Sequence, residues 1–600
     1  MKTPVITTVF VTIILLSSFL SAVNFNTYLF VHAETYILLA FCIGFVFVSV
    51  NFLLQNRGRS KLSIQINFTD LLVLTLTGYV FIRYVYSPRF WFLPDTILLN
   101  SILLASYFYI KNASRNNRES TAKAILYIIA GAGTLQAMYG LLQLSTLLPN
   151  LFSYKLGGSF GNPGDLANFL ALTSTLVLGL IFKEKRKDRS YFLIPVYALQ
   201  IAVIGISMAR TAWIATLLAN MFVLYHFRLK QSLNRLFRQR RRLFIMLLLV
   251  LILGSPFLFY KLYTMKPLSA DGRLFIWELS LTSIIDNPLF GKGYESFVTE
   301  HRQLQINYFQ SNRDEAKAWV AGEPMFAFND FIQFAQEYGL IGLILLIGII
   351  IGLFRTRSEK MNKNLIISKA AVLAVLICML FSYPMQNPSI LICLILLAAI
   401  ISSSEKKGMA SFRLRKFQVN LISAVILAFV CLVAFHSIRS IDYGLRWQKA
   451  SHLFKEGAID YINKYEELMP VLKHNRSFLL NYGCMQYKAD NYQHCIDHFE
   501  KYGYLFAKTD MYIMLGEAYE KTGVHEKAEE NYQKASFLVP HKFIPKYKLF
   551  NLYLTTGRNE EAFEIARTIR DMKIKVYSET VKSIKTEANE YLSTHKKASL

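Results

Sequence analysis

Thirteen apolar stretches dominate this chain, at residues 5–23, 35–54, 69–86, 96–110, 124–146, 165–182, 191–207, 211–227, 243–262, 336–354, 365–382, 389–403 and 417–436. Most approach the ~20 residues that an α-helix needs to cross the hydrocarbon core of a bilayer. Inside lipid, every backbone N–H and C=O must find a partner within the protein, which leaves helices and closed barrels. Stretches of this length select helices over the ~10-residue strands of a barrel. The expected fold class is therefore all-α: a polytopic membrane protein of about thirteen transmembrane helices, ending in a C-terminal α-solenoid. The first stretch resembles a signal peptide, but it lacks a strongly basic leader and further spans follow, so it reads as a retained helix.

The loops fix an orientation. Cations follow every even-numbered stretch: Arg57, Arg59 and Lys61; Lys111, Arg115, Arg118 and Lys123; Lys183, Lys185, Arg186, Lys187 and Arg189. The pattern continues with Arg228, Lys230, Arg235, Arg238, Arg240, Arg241 and Arg242, then Arg355, Arg357, Lys360 and Lys363, then Lys406, Lys407, Arg413, Arg415 and Lys416. The short odd-numbered loops are nearly free of Lys and Arg. By the positive-inside rule the N-terminus is cytoplasmic, and odd loops face outward. The formal net charge of +26 comes largely from these clusters, so no nucleic-acid partner is expected; membrane lipids are. Four segments result. Residues 1–263 hold transmembrane helices one to nine, 264–335 form a large outward loop, 336–437 hold helices ten to thirteen, and 438–600 form an outward repeat region.

The tail is repetitive. Gly516, Tyr519, Ala528, Tyr532, Ala535 and Pro540 fit the tetratricopeptide pattern, a helix pair repeating every ~34 residues. Gly483, Cys495 and Phe499 occupy equivalent places earlier, and Tyr553 and Ala562 later. A degenerate pair around Ala458 and Pro470 starts the array. Such arrays bind peptides or partner proteins on their concave face, or act as stacking modules that support the rest of the chain. Cys484 and Cys495 lie on adjacent helices and fit either a disulfide or a reduced packing pair. Cys42, Cys378, Cys393 and Cys431 sit in apolar stretches as packing residues.

Four outward polar clusters could carry chemistry. In GGSFGNPGDLANFLAL, residues 157–172, Gly and Pro break the helix, and Asn162 and Asp165 stand where a cap restarts it. In ISMARTAWIA, residues 206–215, Arg210 lies in a turn between two spans, flanked by Ser207 and Thr211. An Arg at that depth snorkels to lipid phosphate or holds a diphosphate, because its planar fork matches phosphate oxygens. In the segment from Asp271 to Phe297, Arg273, Trp277 and Ile284 share one face of a helix expected to begin near Arg273 and to end at Asn287-Pro288. Gly291 and Gly293 then make a tight turn. In FAFNDFIQFAQEYGLIG, residues 326–342, Asn329 and Asp330 start a helix, and Glu337 follows near the membrane edge, where an unpaired carboxylate is costly. The sequence shows no metal motif, P-loop or dinucleotide fingerprint, and no cofactor is expected.

At these clusters the chain resembles the O-antigen ligase superfamily, which includes lipopolysaccharide O-antigen ligases, bacterial protein O-oligosaccharyltransferases and related polysaccharide polymerases. The resemblance covers roughly residues 150–345. GSFGNPGDLANFLA resembles the family's Gly-Asn-Pro turn and SMARTAW its Ser-Arg turn. RLFIW with NPLFGKGYESF resembles its Arg-x-x-x-Trp helix and Pro-x-x-Gly-x-Gly loop. Asn329 with Gly339 and Gly342 resembles its His-Asn, Gly-x-x-Gly segment. One position departs: Phe328 stands where the family has His, and a phenyl ring cannot take a proton. Asp330, Glu323, Glu337 and His301 are the substitutes nearby in sequence, with Asp330 favoured for its adjacency.

The resemblance implies a metal-independent, inverting glycosyltransferase in the bacterial inner (cytoplasmic) membrane, with its large loop and repeats in the periplasm. Its donor is a glycan on undecaprenyl diphosphate, and its acceptor is lipid A-core or a protein hydroxyl. It assigns Arg210, Arg273, Asn162, Ser207 and Trp277 to substrate binding and Asp330, Asn329 and Glu337 to catalysis. Three other readings stay open: a repeat-unit polymerase, a non-catalytic scaffold recruiting a protein partner through its repeats, and a transporter or flippase.

Overall fold

In the computed structural model of the protein, the described residues are 3–23, 33–55, 61–87, 95–116, 118–148, 154–230, 239, 241–358, 362–405, 409–455 and 461–595. Arg57, Arg59, Arg235, Arg238, Arg240, Lys360, Lys406, Lys407 and Ala458, all used above, lie outside them. By contacts the chain divides into two compact units. The first is Met1–Leu262 with Phe328–Phe334 and Leu340–Leu445; the second is Tyr263–Ala327 with Ala335–Gly339 and Arg446–Leu600.

Each of the thirteen apolar stretches is helical. The helices are α1 (Thr3–Val23), α2 (Ala33–Gln55), α3 (Phe68–Val85), α4 (Asp95–Asn116), α5 (Arg118–Leu144), α6 (Pro163–Lys183), α7 (Lys187–Ile206) and α8 (Arg210–Leu224). After them come α9 (Arg241–Thr264), α13 (Asp330–Arg355), α14 (Lys363–Phe381), α15 (Pro388–Ser403) and α16 (Lys416–Lys455). Among the described residues, eight helices are long and apolar enough to cross a membrane: α3, α5, α6, α7, α8, α13, α14 and α16. Three more, α1, α2 and α15, carry shorter apolar segments. The bundle centres on α6, whose apolar window is 89% buried, more than any other of the eight. Aromatic contacts tie its flank together: Phe169 lies 5.5 Å from Phe19 and 5.2 Å from Phe160.

Two features depart from the sequence expectation. Lys61–Ile66 (β1) and Ala410–Arg415 (β2) form an antiparallel two-stranded sheet, with Lys61 opposite Arg415 and Ile66 opposite Ala410. Both read as alternating apolar and polar residues, the period of a strand rather than a helix. The last apolar helix also runs past residue 436 to Lys455, since no proline interrupts it. Beside the sheet, Asp70 is fully buried in an ion pair with Lys111. Asp70 also accepts from the Tyr107 hydroxyl at 2.7 Å and from the Asn67 N–H at 2.7 Å. A buried charge persists only when paired and hydrogen-bonded in this way, so Asp70 is a structural residue.

The second unit joins the loop to the tail. The loop supplies α10 (Pro267–Asp286), α11 (Phe297–Ser311) and α12 (Glu315–Val320). The tail supplies α17 (Tyr461–Leu472), α18 (Arg476–Lys488), α19 (Tyr492–Tyr502), α20 (Thr509–Lys521), α21 (His525–Leu538), α22 (Phe543–Thr555), α23 (Asn559–Asp571) and α24 (Glu579–His595). Successive pairs repeat one contact: Gly483 admits the Phe499 ring, and Gly516 admits the Tyr532 ring. Cys484 and Cys495 are free thiols, so the disulfide option is not realised here.

Candidate active site

The proposed site residues divide between the two units. Asn162, Ser207, Arg210, Asn329 and Asp330 belong to the first; Arg273, Trp277 and Glu337 belong to the second.

In the first unit, the Gly157-Gly158 turn is built by two buried glutamines of α5. The Gln143 side chain accepts from the Gly158 N–H at 2.7 Å and donates back to the Gly158 carbonyl at 3.1 Å. Gln136 accepts from the Ser159 N–H at 3.0 Å. Gly158 has φ +57°, and a Cβ there would meet Gln136 Oε1 at 2.7 Å, so only glycine suits the place. The chain then re-enters the bundle at Asn162, which caps α6 by accepting from the Gly164 N–H at 2.7 Å, with Pro163 in the first helical position.

The other face of Asn162 points to a segment that sequence reasoning missed. Its amide donates to the Tyr383 hydroxyl at 3.0 Å, and Asn168 one and a half turns on donates to Ser382 at 2.9 Å. Tyr383 also carries an edge-to-face contact with Phe328, at 5.3 Å between ring centres. Phe328 itself sits at φ +55°, a left-handed backbone that bulky residues rarely adopt. Directly after it, Asn329 caps α13 by accepting from the Phe331 and Ile332 N–H groups at 3.0 and 3.1 Å. Asp330, the first helical residue, is buried, and its Oδ2 accepts from the Met385 N–H at 3.0 Å. Residues 382–385 thus gather Asn162, Asn168, Phe328 and Asp330 around one short segment. The only local signal for it was Ser-Tyr-Pro in the short connection between α14 and α15.

Arg210 opens α8 after a tightly stitched turn. Ser207 donates to the Ile204 carbonyl at 2.7 Å, and Trp213 reaches back to that same carbonyl at 2.9 Å. The half-buried Arg210 guanidinium donates to the carbonyl of Leu262 at the end of α9. Ser207 is thereby committed to its own turn.

In the second unit, α10 begins at Pro267, so Arg273 lies inside the helix rather than at its start; proline in the first turn was the overlooked signal. The helix does end at Asn287, as expected. Trp277 donates to the carbonyl of Ala327, the residue before Phe328, at 2.8 Å. Phe275 packs against Tyr308 and Phe309 of α11, with ring centres 5.2 and 5.6 Å apart.

The glycine loop has a specific partner. Within α13, Gly339 adopts φ +66° and ψ −173°, which breaks the helical ladder. The carbonyls of Gln336 and Glu337 instead accept from the N–H groups of Lys292 and Gly293, at 2.8 and 3.0 Å. A Cβ on Gly291 would lie 2.6 Å from the Glu337 carbonyl carbon, and one on Gly339 would lie 2.1 Å from the Leu289 oxygen. The glycines of the two motifs therefore serve one close backbone crossing. Glu337 is buried beside it.

Two of the four sequence candidates for the missing base are otherwise engaged. His301 is buried and stacked on Phe297 at 5.4 Å, and burial pushes its pKa down to about 4. Glu323 accepts from the Thr509 N–H and hydroxyl at 2.7 and 3.0 Å. Burial works to raise its pKa, but the Thr509 bonds and the charges of Lys542 and Arg302 outweigh it and hold the carboxyl below its ordinary value. Asp330 and Glu337 remain.

Residues 195–347 match the O-antigen ligase family. A 144-residue stretch is 31% identical to a general O-oligosaccharyltransferase of Acinetobacter baylyi, covering 23% of this chain and 23% of that protein. The chain thus matches less than a quarter of that relative's length. The family match includes Arg210, Arg273, Trp277, Asn329, Asp330, Glu337 and the crossing glycines; the Gly-Asn-Pro turn lies before it. These two matches place residues 195–347, about a quarter of the chain, with the O-antigen ligase superfamily.

Proposed function

We propose that the protein is a membrane glycosyltransferase that moves a glycan from undecaprenyl diphosphate to a periplasmic acceptor, either lipid A-core or a protein hydroxyl. One observation carries the reading: the O-antigen ligase match contains both arginines singled out by their place in the chain, together with the buried, capped start of α13. Arg210 and Arg273 bind the donor diphosphate and stabilise the charge that grows as it leaves, a role suited to preorganised cations. Asp330 takes the proton of the acceptor hydroxyl. The hydroxyl oxygen attacks the anomeric carbon opposite the diphosphate, the carbon–oxygen bond to the diphosphate breaks, and the configuration inverts. Asn162 and Tyr383 hold the segment against which Asp330 is set, and no metal enters any step. The thirteen helices span the inner membrane with a cytoplasmic N-terminus, and the tail is a tetratricopeptide-type array. A second reading, a scaffold without transfer activity, rests on Phe328, whose ring occupies the family's histidine position against Tyr383.

A deletion strain separates these readings when lipopolysaccharide and whole-cell proteins are stained for glycan. Complementation uses the wild type, Arg210→Ala and Arg273→Ala, and a reporter fused after residue 450 checks the periplasmic placement. The wild type restores one of the two glycan pools, and each alanine variant loses at least 100-fold of it at unchanged protein level, in line with the roughly 10²–10³-fold effect of removing one preorganised donor. Full rescue by both variants overturns the mechanism. No change in either pool on deletion favours the scaffold.

A further inference from the structure

The loop and the tail of the second unit meet along one line. Arg476, the first residue of α18, donates to the Glu295 carbonyl at 3.2 Å. Thr509, the first residue of α20, donates twice to Glu323. Lys542, which precedes α22, lies 3.4 Å from the same carboxylate, and its neighbour His541 meets the Ala318 carbonyl at 3.2 Å. Lys575, just before α24, donates to the Trp319 carbonyl at 2.6 Å. These polar contacts fall near the starts of α18, α20, α22 and α24. Glu323 acts there as the N-cap of a helix in another part of the chain, a charge-assisted bond at the positive end of that helix.

The centre of this line is buried. Arg302 is 1% exposed and donates to the Phe506 carbonyl; Gln305 is 1% exposed and donates to the carbonyls of Leu538 and, at 2.8 Å, Gly322. Ile306 packs with Leu538 and Val539. Phe537 joins Phe275, Leu279, Phe309 and Ala321 in one apolar cluster, which links the array through α11 and α12 to α10, the helix of Arg273. Lys317 adds an ion pair to Glu278 of α10 at 2.8 Å. Buried polar groups at this density hold one geometry, since any slip leaves a guanidinium or an amide unpaired out of water.

We propose that the C-terminal array is the positioning element of the transferase. Its row of helix starts clamps the loop, and Arg302, Gln305 and Glu323 are positioning residues that set Arg273 for the donor diphosphate. This rests on the assignment of Arg273 to the donor. The contacts along the helix starts are made by the chain's own loop, so the array acts on its own polypeptide.

The test uses the full-length protein in lipid nanodiscs, with Glu323→Ala, Arg302→Met and the conservative Arg302→Lys. Hydrogen exchange reports the clamp. Transfer from a glycan-loaded undecaprenyl diphosphate, read as donor KM and kcat, reports positioning. Exchange across 297–323 rises at least tenfold in Glu323→Ala and Arg302→Met, and donor KM rises about tenfold while kcat changes less than threefold. Arg302→Lys recovers most of both. A loss of folded protein alone would lower kcat and leave KM in place, so that result overturns positioning. Unchanged exchange in both variants overturns the clamp itself. Arg273→Ala is the separate check: full transfer by that variant overturns the donor assignment and with it the kinetic half of the proposal, while the exchange result still decides the clamp.

Discussion

At Asp330 the chemistry assigned to one side chain is set by its neighbours. It is the first residue of α13, buried, with one oxygen held by the Met385 N–H. Asp330→Asn keeps the size and the backbone bond and removes the base, so the turnover rate falls at least 100-fold while donor affinity, measured by equilibrium binding, stays within threefold. Equal turnover in Asp330→Asn would pass the role to Glu337. Much at this scale was legible in the sequence. Asn162 and Asn329 announce themselves as caps, because each stands where an apolar helix restarts beside a proline or an acid. Tyr383 does not: its bonds to Asn162 and Phe328 join positions far apart in the chain, and no local period encodes such a meeting.

The element that shows the limit best is α13. Its start at Asn329–Asp330 follows from local chemistry. Its break at Gly339 does not, because a glycine in an apolar helix is compatible with an unbroken ladder. What forces the break is the crossing with residues 288–293, and only the two motifs together reveal it. Gly339→Ala meets both obstacles, a left-handed φ and the Leu289 carbonyl 2.1 Å from the new Cβ. The backbone alone costs roughly 1–3 kcal/mol, so thermal unfolding in nanodiscs shifts down by several degrees and transfer is lost. Gly78→Ala in α3 is the control: a Cβ there meets nothing within 4 Å, and alanine favours a helix by about 0.5–1 kcal/mol. An unfolding midpoint equal to wild type in Gly339→Ala would show that the crossing yields. The two-stranded sheet also went unread: 61–66 and 410–415 each alternate, but each is a single short run between long apolar helices, and neither encodes a partner so far away in the chain.

On the scale of the whole molecule, the second unit carries a pH response. His301 titrates near 4 when folded and near 6.5 when exposed. The unfolded chain therefore takes up a proton, as pH falls below 6.5, that the folded unit refuses. Stability is full above 6.5 and declines toward pH 4, by on the order of 3 kcal/mol for this one group. Burial lowers His498 and His541 in the same direction. Protection factors across 297–323, which correct for the intrinsic slowing of amide exchange in acid, fall between pH 7 and pH 4.5, and His301→Phe removes part of that fall; an unaltered profile in that variant would show that His301 does not carry the response. The membrane character and the helix pairs of the tail were plain from length and repeat alone. That the loop and the tail form one body was not, because the buried partners Arg302 and Phe506 are separated by the remaining apolar helices.

The row of contacts along the helix starts also dictates an order of events in biogenesis. The ribosome makes residues 297–323 well before residues 476–575, and at about 5–20 residues per second the delay is on the order of ten seconds. Throughout that interval Arg302, Gln305 and Glu323 have no seat, and the loop waits as an unfinished half. Completion of the second unit is thereby coupled to synthesis of the tail; under the positioning role proposed above, Arg273 is set only once the helices from α18 to α24 have been made.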